Sequence, residues 1–234
     1  MSKINLFCKA SLTDGLGHLV RQIHIANEFR NQSKEVCFYI PKFQIAMDIL
    51  RKQNFSYHIV ENFDSVPIMK KEYNDIAILD IQDTTRTFID NLKKTCKQII
   101  SFEDQGSGRN CVDLLIDCNL NPKDSQSVPS NTKTFFGLAY SVLGPEFRKR
   151  HPRQRIFHDQ IQSLLITFGG TDPHNITIDL ARLIPNKLKA TIIIGPGFQD
   201  KKTLMKLKSD HISVAENVEN MAPMLSSHDG VFCS

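Results

Sequence analysis

Short apolar runs alternate with longer amphipathic stretches along the whole chain. Residues 4–8, 36–40, 56–60, 76–80, 98–103 and 114–117 are compact apolar runs of strand length. Residues 19–30 carry Val20, Ile23 and Ala26 at helical spacing, and 45–53 and 85–95 read the same way. The alternation pauses at 145–158, where two prolines and many charges mark a connection. It then restarts, with strands predicted at 163–168, 190–194, 212–215 and 229–233. Helices are predicted between them at 176–183, 203–208 and 218–225. Strands alternating with helices imply parallel pairing in a doubly wound sheet. The expected organisation is a first Rossmann-like domain over 1–148, a linker over 149–160 and a shorter second Rossmann-like domain over 161–234.

Three turns between a predicted strand and helix carry residues with chemical potential. Asp14-Gly15-Leu16-Gly17-His18 follows the first strand. Glycines there let the backbone turn tightly and approach a ligand, and a helix N-terminus favours negative charge. The third glycine of a dinucleotide fingerprint is replaced by Val20. A strand–helix turn with a capping histidine explains the spacing equally well. His18, at the sheet's C-terminal edge, stands where open α/β sheets bind ligands, and a neutral imidazole there can act as a general base.

Gly169-Gly170-Thr171-Asp172-Pro173-His174-Asn175 follows an apolar strand in the second half. Asp172 reads as an N-cap and Pro173 as the first helical residue. Paired glycines before a helix suit a diphosphate, although a plain tight turn also accounts for them. Glu103-Asp104-Gln105-Gly106 can bind a sugar, orient a base or simply form an Asx-type turn. The same alternatives hold for Asp80 and Asp83 at another strand end. Tyr140 and Phe147, flanking Gly144-Pro145, read as core aromatics before ligand stackers.

Composition narrows the classes. The 234 residues are 41% hydrophobic and 23% charged, an ordinary globular balance that argues against disorder. The net charge of +4 suits an anionic ligand but forms no nucleic-acid tract. The basic group Lys149, Arg150, Arg153 and Arg155 reads as a solvated linker. No apolar run approaches a membrane span, and Lys9 interrupts any signal-peptide core. Six scattered cysteines, none spaced as metal ligands with histidine, fit a reduced cytoplasmic protein without a metal.

Several segments together carry a resemblance. They are Gly15-x-Gly17-His18-x-x-Arg21, Ser101-Phe102-Glu103-Asp104-Gln105-Gly106 and Val112-Asp113-Leu114-Leu115-Ile116-Asp117. Next come Gly137-x-x-Tyr140 with Glu146-Phe147, then Ile166-Thr167-Phe168-Gly169-Gly170-Thr171-Asp172-Pro173-x-Asn175, and last Asn220-Met221-Ala222. Their order and spacing resemble the PseG/SpsG family. It comprises a UDP-diacetamido-trideoxyaltrose hydrolase of pseudaminic acid synthesis and related spore-coat polysaccharide proteins.

The resemblance implies a GT-B-like fold, distantly similar to MurG, and metal-free release of UDP without a cofactor. It implies that His18 activates water against the anomeric carbon, with Gly15, Gly17, Asp80, Asp104 and Tyr140 on the sugar side. Gly169, Gly170, Asp172 and Asn175 would lie on the nucleotide side, and Asn217 and Val218 near the base. A glycosyltransferase, or a non-catalytic nucleotide-sugar-binding or partner protein, are the alternatives.

The chain departs from the family at Phe7 and Lys9, where an arginine and an aspartate are usual, and at Gln82-Asp83, where the hydrolases carry Tyr-Gly. It also ends at Ser234, before the family's Gly-Gly turn and ribose-binding glutamate. The expectation is a truncated second sheet, weakened nucleotide binding, and self-association or a partner over the uncovered strand.

Overall fold

The computed structural model describes residues 2–66, 75–119, 131–148 and 160–233. The chain divides into two compact units, Met1–Ser11 with His18–Val142 and Leu12–Gly17 with Leu143–Ser234. The expected linker, apart from Gln160, lies outside the described residues.

The first unit holds β1 (Ile4–Cys8), α1 (Gly17–Asn31), β2 (Val36–Ile40), α2 (Gln44–Lys52), β3 (Ser56–Ile59) and β4 (Asp75–Asp80). It continues with α3 (Arg86–Leu92), β5 (Cys96–Phe102), β6 (Leu114–Asp117) and β7 (Lys133–Phe136). The sheet order is β3-β2-β1-β4-β5-β6-β7, with every pair parallel. Order reverses between β1 and β4, where Cys8 stands beside Asp80. Open parallel sheets bind ligands outside the carboxyl ends of their strands at such a reversal.

Sequence dictates this layer directly. Every residue of β1 and β2 is buried, the signature of strands covered on both faces. Helix α1 turns Leu19, Gln22, Ile23 and Ala26 inward, an i, i+3, i+4, i+7 stripe. Val20, read from sequence as part of that stripe, instead lies exposed. Phe7 stacks on Tyr39 with centroids 4.5 Å apart and meets Phe88 edge-on. Strand β7 is a strand that the sequence pattern did not show; its four residues are at most half-buried and mark no apolar run.

The second unit contains α4 (Pro145–Arg148), β8 (Ser163–Thr167), α5 (Ile176–Leu183), β9 (Lys189–Ile194) and α6 (Lys201–Lys206). It ends with β10 (Ile212–Glu216), α7 (Met221–Ser227) and β11 (Gly230–Cys233). Its sheet is parallel, in the order β10-β9-β8-β11. Its core joins Leu164, Ile166, Ile178, Ala181, Ile192 and Leu204. Two Rossmann-like sheets are thus present, the second smaller, as the alternation implied. Helix α7 starts at Met221 rather than 218, because Asn217 takes a left-handed φ of 52° and Asn220 caps the N–H of Ala222. At the sheet edge, Val231 and Phe232 of β11 lie exposed.

Candidate active site

The reversal between β1 and β4 gathers a network of polar side chains around one carboxylate. His18 lies in the first turn of α1, and its Nδ1 stands 2.7 Å from Asp80 Oδ1. Asp80, the last residue of β4, is completely buried. Arg21, one turn after His18, donates from Nε to Asp80 Oδ2 and from a terminal nitrogen to Oδ1, both at 2.7 Å. Gln22 Nε2 adds a bond of 3.0 Å to Oδ2. Four donors therefore fill the four lone-pair sites of one carboxylate.

Burial alone would raise the Asp80 carboxyl, but the bonds from His18 and Arg21 and the Arg21 charge hold it below its ordinary value of 3.8. Desolvation disfavours the Arg21 charge, yet Asp80 and Glu103 more than restore it. An ionised carboxylate only accepts, so Nδ1 of His18 carries the proton and Nε2 is the basic nitrogen. This is the histidine arrangement a general base requires. Asp80 is thereby a partner of His18, with no lone pair left for a substrate, which changes the sugar-side role expected of it.

Arg21 also reaches Glu103 Oε2 from its other terminal nitrogen at 2.8 Å, and its guanidinium lies over the Phe102 ring at 5.4 Å. Asn119 Nδ2 donates to the second Glu103 oxygen at 2.9 Å. Cys118 Sγ donates to the Tyr140 carbonyl at 3.3 Å, and burial pushes its thiol up. Tyr140 itself is 42% exposed, its ring tilted against Phe135 at 4.8 Å. The aromatic read first as core thus stands at the surface.

Asp104 belongs to the loop rather than to an open site. It is completely buried and accepts from the Thr84 amide and hydroxyl, from Ser101 Oγ and from the Gly106 amide. The Asx-turn alternative describes it, and a sugar contact does not. Lys9 and Asp83, at two departures from the family pattern, meet as an ion pair at 3.3 Å. The Lys9 amide also donates to the Asp80 carbonyl. The two departures are therefore coupled to each other.

In the second unit, Gly15 adopts a φ of 76°, which only glycine takes freely, and a Cβ at Gly17 would meet nothing within 4 Å. Gly169 also has positive φ, at 70°. Asp172 does cap α5, but from further away than expected. Its two oxygens accept the N–H groups of Ile176 and Thr177, and the helix begins at Ile176 rather than at Pro173. Asn175 occupies the left-handed N-cap position without a side-chain bond. A carboxylate already holds the donors that a diphosphate would use at this helix start. Backbone around Gly169-Gly170 and the loop after β9 remain as the nucleotide-side candidates. There Gly197 N–H donates to the Gly170 carbonyl at 2.8 Å. Asn217 is exposed and Val218 half-buried after β10.

Sequence reasoning did not single out Gln22, Asn119 or Gly195 as working residues; it carried Arg21 only as part of a motif, and left Glu103 open between a ligand contact, a residue that orients a base and a turn residue. The three-residue step from His18 to Arg21 was the available signal, because residues i and i+3 share a helix face. Among the described residues, no three His, Cys, Asp or Glu side chains gather to hold a metal, and no helix is long and apolar enough to cross a membrane.

No family model matches the chain. It is 26% identical, over 252 aligned positions and 99% of its length, to the uncharacterized protein MJ1062 of Methanocaldococcus jannaschii, and spans 51% of that protein. It is 22% identical over 229 positions to the UDP-2,4-diacetamido-2,4,6-trideoxy-beta-L-altropyranose hydrolase of Campylobacter jejuni, covering 94% of this chain and 80% of the relative. Among solved structures, MurG of Acinetobacter baumannii superposes with a TM-score of 0.53 at 13% identity, over 99% of this chain and 71% of that one. HepE of Anabaena in complex with UDP and glucose gives 0.55 at 13% identity, over 98% and 73%. The chain therefore has the GT-B fold of these structures and a weak homology to the hydrolase that runs along nearly its whole length.

Proposed function

We propose that this chain processes a UDP-sugar, hydrolysing it to UDP and free sugar with His18 as the general base. The observation that carries the reading is the His18–Asp80 pair at 2.7 Å, on the carboxyl edge of the sheet where strand order reverses. The name of the 22% identical hydrolase supports the substrate class, a UDP-linked diacetamido-trideoxyhexose. Its place would be in cytoplasmic nonulosonic acid or surface polysaccharide synthesis.

In this mechanism His18 Nε2 accepts a proton from water as the water oxygen bonds to the anomeric carbon. The bond from that carbon to the β-phosphate oxygen breaks, and UDP leaves with the electron pair. Asp80 faces the imidazolium that forms and stabilises it. Tyr140 offers an exposed ring beside the sugar. The nucleotide would be met by backbone at Gly169 and Gly170 and after β10 at Asn217 and Val218.

Incubation with a panel of UDP-sugars, followed by NMR of the products, tests this. Free sugar and UDP without any acceptor are the expected result. Release of UDP only when an acceptor hydroxyl is supplied would make the chain a transferase. Binding without release would make it a non-catalytic binder.

A further inference from the structure

Arg21 is shared between two carboxylates. Among the described residues, Asp80 forms ion pairs with Arg21 and His18, and Glu103 with Arg21. The guanidinium sits over Phe102, is held edge-on by Asp80, and is held at its remaining nitrogen by Glu103. Asn119 fixes the far oxygen of Glu103. The Glu103 backbone itself takes a φ of 49°, a left-handed conformation that a glutamate adopts at a cost. Asp80 meets the imidazole nitrogen directly, and Arg21, Glu103 and Asn119 stand behind it as a chain of contacts drawn from α1, from the carboxyl end of β5 and from beyond β6. Stability alone is a weak reason for such a cluster, because apolar replacements of buried ion networks are often equally stable.

We propose that Glu103 and Arg21 are positioning residues that lock His18 in the tautomer with Nδ1 protonated, acting through Asp80. The fork of Arg21 fixes the plane of the Asp80 carboxylate, so that Oδ1 is aimed at Nδ1. Glu103 holds the fork in that plane. It also takes part of the Arg21 charge, which leaves Asp80 more negative toward the ring when His18 becomes a cation. Loss of the Glu103 charge leaves Arg21 bearing on Asp80 alone and opposes formation of the imidazolium. This rests on His18 being the base of the proposed reaction, but the tautomer itself does not.

The test uses Glu103→Gln, nearly isosteric, and Arg21→Lys, with circular dichroism to confirm folding. Ring nitrogen shifts of ¹⁵N-labelled His18, assigned by comparison with His18→Asn, report the tautomer without any substrate. Wild type is expected to show Nδ1 protonated, and both variants a mixture with the Nε2-protonated form. With a UDP-sugar substrate, kcat is expected to fall about tenfold or more while KM stays unchanged. A folded Glu103→Gln protein with an undisturbed tautomer and unchanged kcat overturns the proposal, even if the wild type hydrolyses UDP-sugars. A tautomer shift in the variants supports it, even if no UDP-sugar is turned over.

Discussion

His18 works as a base only if the proton sits on Nδ1, and Asp80 is the group that puts it there. Removing the base is expected to lower turnover about 10²–10⁴-fold, so His18→Asn should bind UDP normally but release sugar at that reduced rate. Wild-type kcat in the variant would remove His18 from the mechanism. Asp80→Asn should cost both activity and stability. It leaves the Arg21 guanidinium without its principal partner, a loss of about 3–5 kcal/mol when a buried pair is broken. The pH dependence has a definite sign. The Asp80 carboxyl is held below 3.8 in the folded state, so its contribution is complete above about pH 4 and disappears as pH falls through the lowered value. Urea denaturation of wild type and Asp80→Asn should therefore show a gap at about pH 5 that closes as pH falls below about pH 4. A gap that stays fully open on acidification well below about pH 4 would contradict the assignment.

Loops at the carboxyl ends of strands are built by close backbone approach as much as by hydrogen bonds. After β9, Gly195 lies so near the loop after β8 that a Cβ would fall 2.5 Å from the Gly170 Cα. That contact is with backbone, which cannot rotate aside. Gly195→Ala is expected to destabilise the second unit by about 1–3 kcal/mol, read as a lower midpoint in thermal denaturation. A midpoint equal to wild type would mean that the two loops separate without cost. Asp104 does the corresponding work in the first unit, tying β5 to the loop after β4 through Thr84. Both cases show glycines and buried aspartates serving an element junction.

The two sheets repeat one winding order at different sizes, seven strands and four. At the reversal of strand order in the first sheet, four donors from His18, Arg21 and Gln22 already occupy Asp80. In the second unit the first two N–H groups of α5, those of Ile176 and Thr177, are already taken by Asp172. A nucleotide bound by the second unit is therefore expected at backbone outside that helix start. Hydrogen exchange with and without UDP should show protection at 169–170, 195–197 and 217–218, and none added at the N–H of Ile176 and Thr177. Protection confined to the start of α5 would return the diphosphate to the position first expected from the paired glycines.

The sequence by itself determined the architecture, because parallel strands buried on both faces must be apolar throughout and helices between them must carry a 3.6-residue stripe. Both signals are local, and they were legible along most of the chain; short, half-exposed β7 and the four-residue α4, which falls in the segment read as a connection, escaped. The position of His18 after the first strand was legible for the same reason. The partners of His18 were not. Asp80 is 62 residues from His18 and Glu103 is 82 from Arg21, and nothing local distinguishes a carboxylate that meets a ligand from one enclosed by donors. Only the winding that sets β4 beside β1 and β5 beside β4 made Asp80 the partner of a histidine. The same packing enclosed Asp104 in its own loop. Burial and donor count, which are properties of the folded chain, decided those roles.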